Sequence, residues 1–203
     1  MPSDEAKKLA ASLGVAAMTA AAPAAGSGPS DRVVAFIREA EGGEREHRNP
    51  GTGIWSPYED AAGKWTIGRG HLINGGDSFE GFANGITDEE VERFFTEDVT
   101  KAYNQARKRV GKTKVDSLSP EMQDLFVDFA FNLGQGFAEK FPNMTKAILA
   151  GDMETAAKES RRVKGPKGGK KTPLDERNRL TLNTFFGKAY SDYEAVNRFY
   201  ESE

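Results

Sequence analysis

From Thr87 to Val110 the sequence keeps one unbroken helical register, and that run limits the fold more than any other stretch. Thr87-Asp88-Glu89-Glu90 is a capping box, in which a threonine oxygen and a glutamate side chain satisfy the first orphan N–H groups of a helix. Val91, Phe94, Phe95, Val99, Ala102, Tyr103, Ala106 and Val110 then recur at helical spacing. At 1.5 Å per residue such a helix spans roughly 35 Å. Within 203 residues this predicts a single domain with room for a sizeable core, divided at most into lobes.

The residues with chemistry precede that helix. Tyr58-Glu59-Asp60-Ala61-Ala62-Gly63-Lys64-Trp65-Thr66-Ile67-Gly68-Arg69-Gly70-His71 reads as a turn followed by a short strand. Asp60 and Gly63 bracket the turn, and Trp65, Thr66 and Ile67 are strand formers. Alternation puts Thr66, Gly68 and Gly70 on one face and Trp65, Ile67, Arg69 and His71 on the other. Glycines inside a strand mark a place where a ligand or another backbone approaches closely. A carboxylate, a hydroxyl and a bare strip of backbone in one hairpin suit a cleft for an extended polar substrate.

A second carboxylate lies upstream. Val33, Val34, Ile37 and Ala40 recur at helical spacing after a cap at Ser30 or Asp31. Glu41 falls in the last turn at the edge of that stripe, and Gly42 or Gly43 ends the helix. A carboxylate beside an apolar face loses hydration, so its pKa is expected to rise, while Asp60 on an exposed turn stays ionised. Two carboxyl groups pushed apart in this way are what glycoside hydrolysis requires: one acid for the leaving oxygen, one base for water.

Glu41-Gly42 followed by Tyr58-x-Asp60-x-x-Gly63-x-x-Thr66-Ile67-Gly68-x-Gly70-His71 resembles the phage-type lysozymes of glycoside hydrolase family 24, the T-four-like endolysins. The likeness runs over roughly residues 31–190 and includes Phe131-Asn132-Leu133-Gly134 and Thr172-Pro173. It implies an α+β fold, mainly α: two lobes, one small with a β-hairpin and one helical, joined by the long helix. It implies hydrolysis of the β-1,4 bond between N-acetylmuramic acid and N-acetylglucosamine in peptidoglycan, with inversion and without metal or organic cofactor. Inversion implies a carboxyl separation of about 6.5–9.5 Å. By motif position Glu41 is the general acid, Asp60 positions or activates water, and Thr66 helps to hold it. The same resemblance pairs His71 with Asp98 of the long helix and gives Asn132 and Gly70 a part in sugar binding.

The interval from Glu41 to Asp60 is longer than the family's usual one, and Asn49-Pro50-Gly51-Thr52-Gly53 within it reads as a loop or extra hairpin. Glu44 and Glu46 are therefore rival acids. Glu41 is preferred because it alone adjoins a helical apolar stripe and a terminating glycine. Trp55 and Tyr58 are candidates for stacking on sugar rings, with Trp55 alternatively closing the inserted loop. Asn132, polar in an apolar setting, either bonds an acetamido group or is satisfied by backbone at a helix end.

Further along, Ser119-Pro120 opens a helix whose Met122, Leu125, Phe126, Phe129, Ala130 and Leu133 form a broad apolar face, with Val127 and Phe131 on its other side and Gly134 ending it. Pro142 starts a helix that stops at Gly151, Asp152 caps one running to about Val163, and Thr172-Pro173 caps one with Leu174, Thr181, Leu182 and Phe185 inward. A last helix from Ser191 to Tyr200 gathers Tyr193, Val196, Phe199 and Tyr200 on one side. Arg161, Arg162, Lys164, Lys167, Lys170 and Lys171 occupy a glycine-rich, acid-free stretch, read either as a solvated loop or as an attraction to anionic wall polymer or membrane surface.

Composition excludes several classes. A hydrophobic content of 37% with 29% charged residues fits a soluble globular protein, and the absence of cysteine removes disulfides and thiolate metal sites. Two histidines, His47 and His71, argue against a zinc cluster, and the net charge of −3 against nucleic acid as a partner. Residues 1–30 stand apart from the catalytic domain expected over 31–203. Leu9 to Ser30 carries no charge and is mostly alanine, ending in Gly26-Ser27-Gly28-Pro29-Ser30. The tail is a secretory signal or weak signal-anchor with membrane contact through residues 9–25, a helix docking on a phage tail or other virion protein, or a mobile extension. Docking is the preferred reading. The protein is then expected in the virion, tail-associated, or in the host periplasm, acting on the wall. The rivals are a non-catalytic wall-binding module of a phage tail and an enzyme acting on chitin or chitosan.

Overall fold

The computed structural model describes residues 28–41, 47–60, 63–73, 79–164 and 172–202. The tail through residue 27, glycines 42 and 43 expected to end the first helix, the rival acids Glu44 and Glu46, and Lys167, Lys170 and Lys171 lie outside the described residues. The architecture is mainly helical with a small antiparallel sheet, as the mainly α reading expects.

Helix α1, Asp31–Ala40, starts where the Ser30 side chain accepts from the Val33 N–H. It buries Val33 and Ile37 of the expected stripe together with Phe36, while Val34 and Ala40 are half-buried. The segment 47–57 then folds back on itself: Trp55 bridges Arg48 on one side and Ile86 on the other. Strands β1 (Tyr58–Glu59), β2 (Trp65–Ile67) and β3 (His71–Leu72) form a sheet in that order, with Tyr58 opposite Thr66 and Thr66 opposite Leu72. The alternation expected through His71 fails after Ile67. Gly68 and Gly70 have φ of +61° and +85°, left-handed values that turn the chain back into β3. Gly68 is required there for a second reason, since a Cβ would come within 3.0 Å of Val91 Cγ2.

Short helix α2 (Phe79–Phe82) leads to the long helix α3 (Asp88–Val110), whose N-terminus shows the complete capping box between Thr87 and Glu90. Trp55, Ile67, Ile73, Phe82, Ile86 and Val91 make a separate small core at that end. Beyond α4 (Lys112–Asp116), helix α5 (Pro120–Leu133) is capped by Ser119 and ends at Gly134. It is the centre of the helical lobe, packed by α1, α3 and later α9, and buries residues on every side. Helices α6 (Phe137–Lys140), α7 (Pro142–Ala150) and α8 (Met153–Glu159) follow, α7 closing on left-handed Gly151 and α8 capped by Asp152.

Two boundaries differ from expectation. Helix α8 stops at Glu159, and Val163–Lys164 is a strand, β4, paired with Thr172–Pro173, β5. Thr172 is thus in a strand instead of capping a helix; long-range backbone pairing displaces the local capping preference. Helix α9 starts at Asp175 and runs to Phe185, after Leu174 donates its N–H to the Arg162 carbonyl. The last helix, α10 (Tyr193–Glu201), packs Val196, Phe199 and Tyr200 against Leu182 and Ala157, whereas Tyr193 is exposed and reaches Glu176. Among the described residues no helix is long and apolar enough to cross a membrane.

Candidate active site

Glu41 caps the C-terminus of α1, its N–H bonded to the Ile37 carbonyl at 2.9 Å, so its side chain leaves a rigid helix end. Arg177 of α9 donates through Nη1 to Glu41 Oε1 at 2.5 Å. The carboxyl group is thus held by a cation as well as placed beside the apolar stripe expected from the sequence. Its other oxygen faces the glycine turn: a Cβ on Gly70 would lie 3.8 Å from Glu41 Oε2. The bare backbone anticipated in the Gly-x-Gly stretch therefore lies against the candidate acid, although as a turn and not as a strand face.

The candidate base sits on the β1–β2 turn. Asp60 and Lys64 close it through Asp60 N–H to the Lys64 carbonyl at 2.8 Å, and Gly63 N–H donates to the Asp60 carbonyl at 2.9 Å. Asp60 Oδ1 accepts from the Lys64 N–H at 2.9 Å, and the Thr66 hydroxyl donates to the Lys64 carbonyl at 3.1 Å. The backbone N–H and C=O of one residue, Lys64, thus fix the two side chains. Thr66 is buried and Asp60 half-buried.

A cleft of about 480 Å³ opens between the sheet and the helical lobe. Lys64, Gly70, His71 and Leu72 line one wall, Asp98, Lys101 and Gln105 of α3 the floor, and Phe131 to Gly134 at the end of α5 the other wall. The expected tie is present: His71 Nδ1 and Asp98 Oδ2 are 2.8 Å apart, and the His71 ring stacks on Phe94 at 4.3 Å. Asn132 lines the cleft, and its side-chain oxygen is buried without a hydrogen-bond partner among the described residues. Gly70 belongs both to this wall and to the Glu41 contact, so the acid stands next to the cleft. Glu41, Tyr58, Asp60 and Thr66 are not themselves among the residues lining it.

Trp55 is corrected from sugar platform to core residue. It is 3% exposed, and its Nε1 donates to Asp88 Oδ1 at 2.7 Å, so the ring closes the inserted segment onto α3. Tyr58 is half-buried and stacks face to face on His47, with centroids 3.9 Å apart.

Behind the acid lie Arg177 and Asp128, which were not singled out from the sequence, and Arg162, which was named only as part of the basic stretch. Asp128 of α5 is wholly buried; its Oδ1 accepts from Arg177 Nη2 at 2.6 Å, and its Oδ2 is paired with Arg162. Arg162, placed in a solvated basic stretch by composition, is instead 1% exposed, with its guanidinium 3.7 Å from the Phe129 ring centroid. Burial pushes the Asp128 carboxyl up, but Arg162 and Arg177 outweigh it and hold the group below the ordinary aspartate value. Burial pulls Arg177 down, yet Asp128 and Glu41 together push it above its ordinary value. For Arg162 burial wins over Asp128, and its pKa is lowered. The signal available in the sequence was Asp128 inside the apolar run Leu125 to Phe131, one turn after Asp124. Asp124 turned out to anchor α1, accepting from Ser30 Oγ at 2.7 Å and Arg32 Nε at 2.8 Å.

A family model described as phage lysozyme matches residues 53–179, more than half of the chain. The matched span contains Asp60, Thr66, His71, Asp98, Asn132, Asp128, Arg162 and Arg177, and it starts after Glu41. No curated protein sequence matches this one.

Proposed function

The chain belongs to the phage lysozyme family, a family of glycoside hydrolases acting on the peptidoglycan of the bacterial wall, and from that premise we propose that it is an inverting N-acetylmuramidase with Glu41 as its acid. The observation that carries this reading is the setting of Glu41: one oxygen bound by Arg177, the other beside the bare backbone of Gly70 at the cleft wall. Fixing Oε1 leaves Oε2 to carry the proton delivered to the glycosidic oxygen. Asp60, oriented by the Lys64 N–H, takes a proton from the water that attacks the anomeric carbon from the opposite face. The Thr66 hydroxyl, with its proton committed to the Lys64 carbonyl, presents its oxygen as an acceptor to that water. Lys101, Gln105 and Asn132 supply the polar groups along the cleft that a glycan strand with acetamido substituents needs.

Residues 31–203 form the catalytic unit in this reading, and residues 1–30 are a separate docking segment that carries the enzyme on a virion. The test is digestion of purified peptidoglycan followed by borohydride reduction of the fragments. Muramitol at the new ends supports a muramidase, and glucosaminitol overturns it. Glu41→Gln is expected to abolish release while the far-ultraviolet circular dichroism stays unchanged; turbidity loss that survives this substitution removes Glu41 from the role.

A further inference from the structure

Glu41 poses an electrostatic difficulty. A guanidinium hydrogen-bonded to a carboxyl group favours its charged form, whereas the acid step needs the neutral one. The surroundings of Arg177 answer this. Its Nη1 serves Glu41 Oε1, and its Nη2 serves Asp128 Oδ1 at 2.6 Å, so two carboxyl groups divide one cation. Asp128 is 0% exposed and its second oxygen is paired with Arg162. Arg162 is itself immobilised: Asn178 accepts its backbone N–H at 2.9 Å and donates to its carbonyl at 3.0 Å, while its guanidinium lies on Phe129.

We propose that Asp128 is a positioning residue for Glu41, acting through Arg177: it fixes the guanidinium that orients the acid and shares its charge, so that the acid is held in place yet still takes up a proton. This rests on Glu41 being the general acid. The set comprises two acids and two cations, Glu41 half-buried at the end of α1 and the other three buried, on α5, on α9 and just before β4. The other charged groups nearby are engaged elsewhere. Arg38 of α1 and Arg69 of the glycine turn both pair with Glu92 of α3, and Asp124 is held by Ser30 and Arg32. From α10, Tyr200 faces Arg162, and burial pushes its phenol up to about 12, so it stays neutral. Removing one charge from the set must therefore register at Glu41.

The experiment is the pH profile of wall hydrolysis by purified full-length variants, with thermal unfolding measured alongside. Activity falls on the alkaline side as the acid deprotonates. Asp128→Asn removes the carboxylate that shares Arg177 with Glu41, so this limb is expected to move down. Arg162→Met, which keeps an apolar chain on Phe129, leaves an excess of negative charge, and the limb is expected to move up. The double variant restores balance and returns the limb towards the parent position. A limb that stays put while only the plateau drops overturns the proposal, whichever single variant is folded well enough to assay. If neither single variant folds while the double does, the pair is structural and the proposal falls. Retained activity in Glu41→Gln would instead remove the underlying acid assignment, a separate failure.

Discussion

Trp55 and Asp88 are joined by a hydrogen bond from the indole Nε1 to Oδ1 at 2.7 Å, and Arg48 binds the same carboxylate through Nε at 2.8 Å and Nη2 at 2.5 Å. This knot ties the inserted segment to the first residue of α3, where a negative charge is also favoured by the helix N-terminus. It explains why the extra length before Asp60 does not leave the hairpin loose.

The knot has a pH signature. Hydrogen bonds from Arg48 and then Trp55 hold the Asp88 carboxyl far below its ordinary value of 3.8. A carboxyl whose folded pKa is depressed contributes stability that is complete above the unfolded pKa and is lost as pH falls towards the folded value. Wild-type stability in urea should therefore decline below about pH 4, and Asp88→Asn should be less stable at pH 7 with a shallower decline in acid. Trp55→Phe, which keeps an apolar ring but removes the donor, should shift stability without a matching rise in KM for peptidoglycan. A large KM change at unaltered stability would return Trp55 to the substrate.

Gly68 supplies a second expectation. At φ +61° an L side chain costs about 1–2 kcal/mol, and the new methyl would also press on Val91 at 3.0 Å. Gly68→Ala should thus lose about 2 kcal/mol or more in urea unfolding. Part of that loss is contact and part is backbone, so Val91→Ala should cost less in the Gly68→Ala background than in the parent. Strict additivity of the two losses would mean that the crowding at Val91 contributes nothing.

The helices were legible where their signals are local. Ser30, Thr87, Ser119 and Asp152 each cap the helix that the periodicity announces, because a cap and its N–H partner lie within three residues of each other. The Asp60–Gly63 turn was legible for the same reason. What escaped depends on partners distant in the chain. Arg177 meets Glu41 across 136 positions, and nothing in the composition of residues 161–171 shows that Asp128 waits for Arg162 in the core. At Gly68 two local rules compete: strand alternation continues the β-pattern, while left-handed glycine geometry breaks it, and the antiparallel pairing of Ile67 with His71 goes with the turn. Thr172-Pro173 has the composition of a helix start, yet pairing with Val163–Lys164 makes it a strand.

His71 and Asp98 allow the tie between sheet and long helix to be measured on its own. Their contact at 2.8 Å is a side-chain hydrogen bond between β3 and α3, and both residues line the cleft. A hydrogen bond to a charged group contributes about 1.5–3 kcal/mol, and residues in direct contact couple instead of adding. His71→Gln also forfeits the stack on Phe94, so its total loss overstates the bond. A double-mutant cycle with Asp98→Asn isolates the pairwise part. The expected coupling is about 1–2 kcal/mol, accompanied by lower kcat/KM on peptidoglycan in both single variants, because the wall carrying Gly70 is no longer held to the floor. Coupling below about 0.5 kcal/mol would place the burden of that wall on the small core around Ile67 and Phe82 instead.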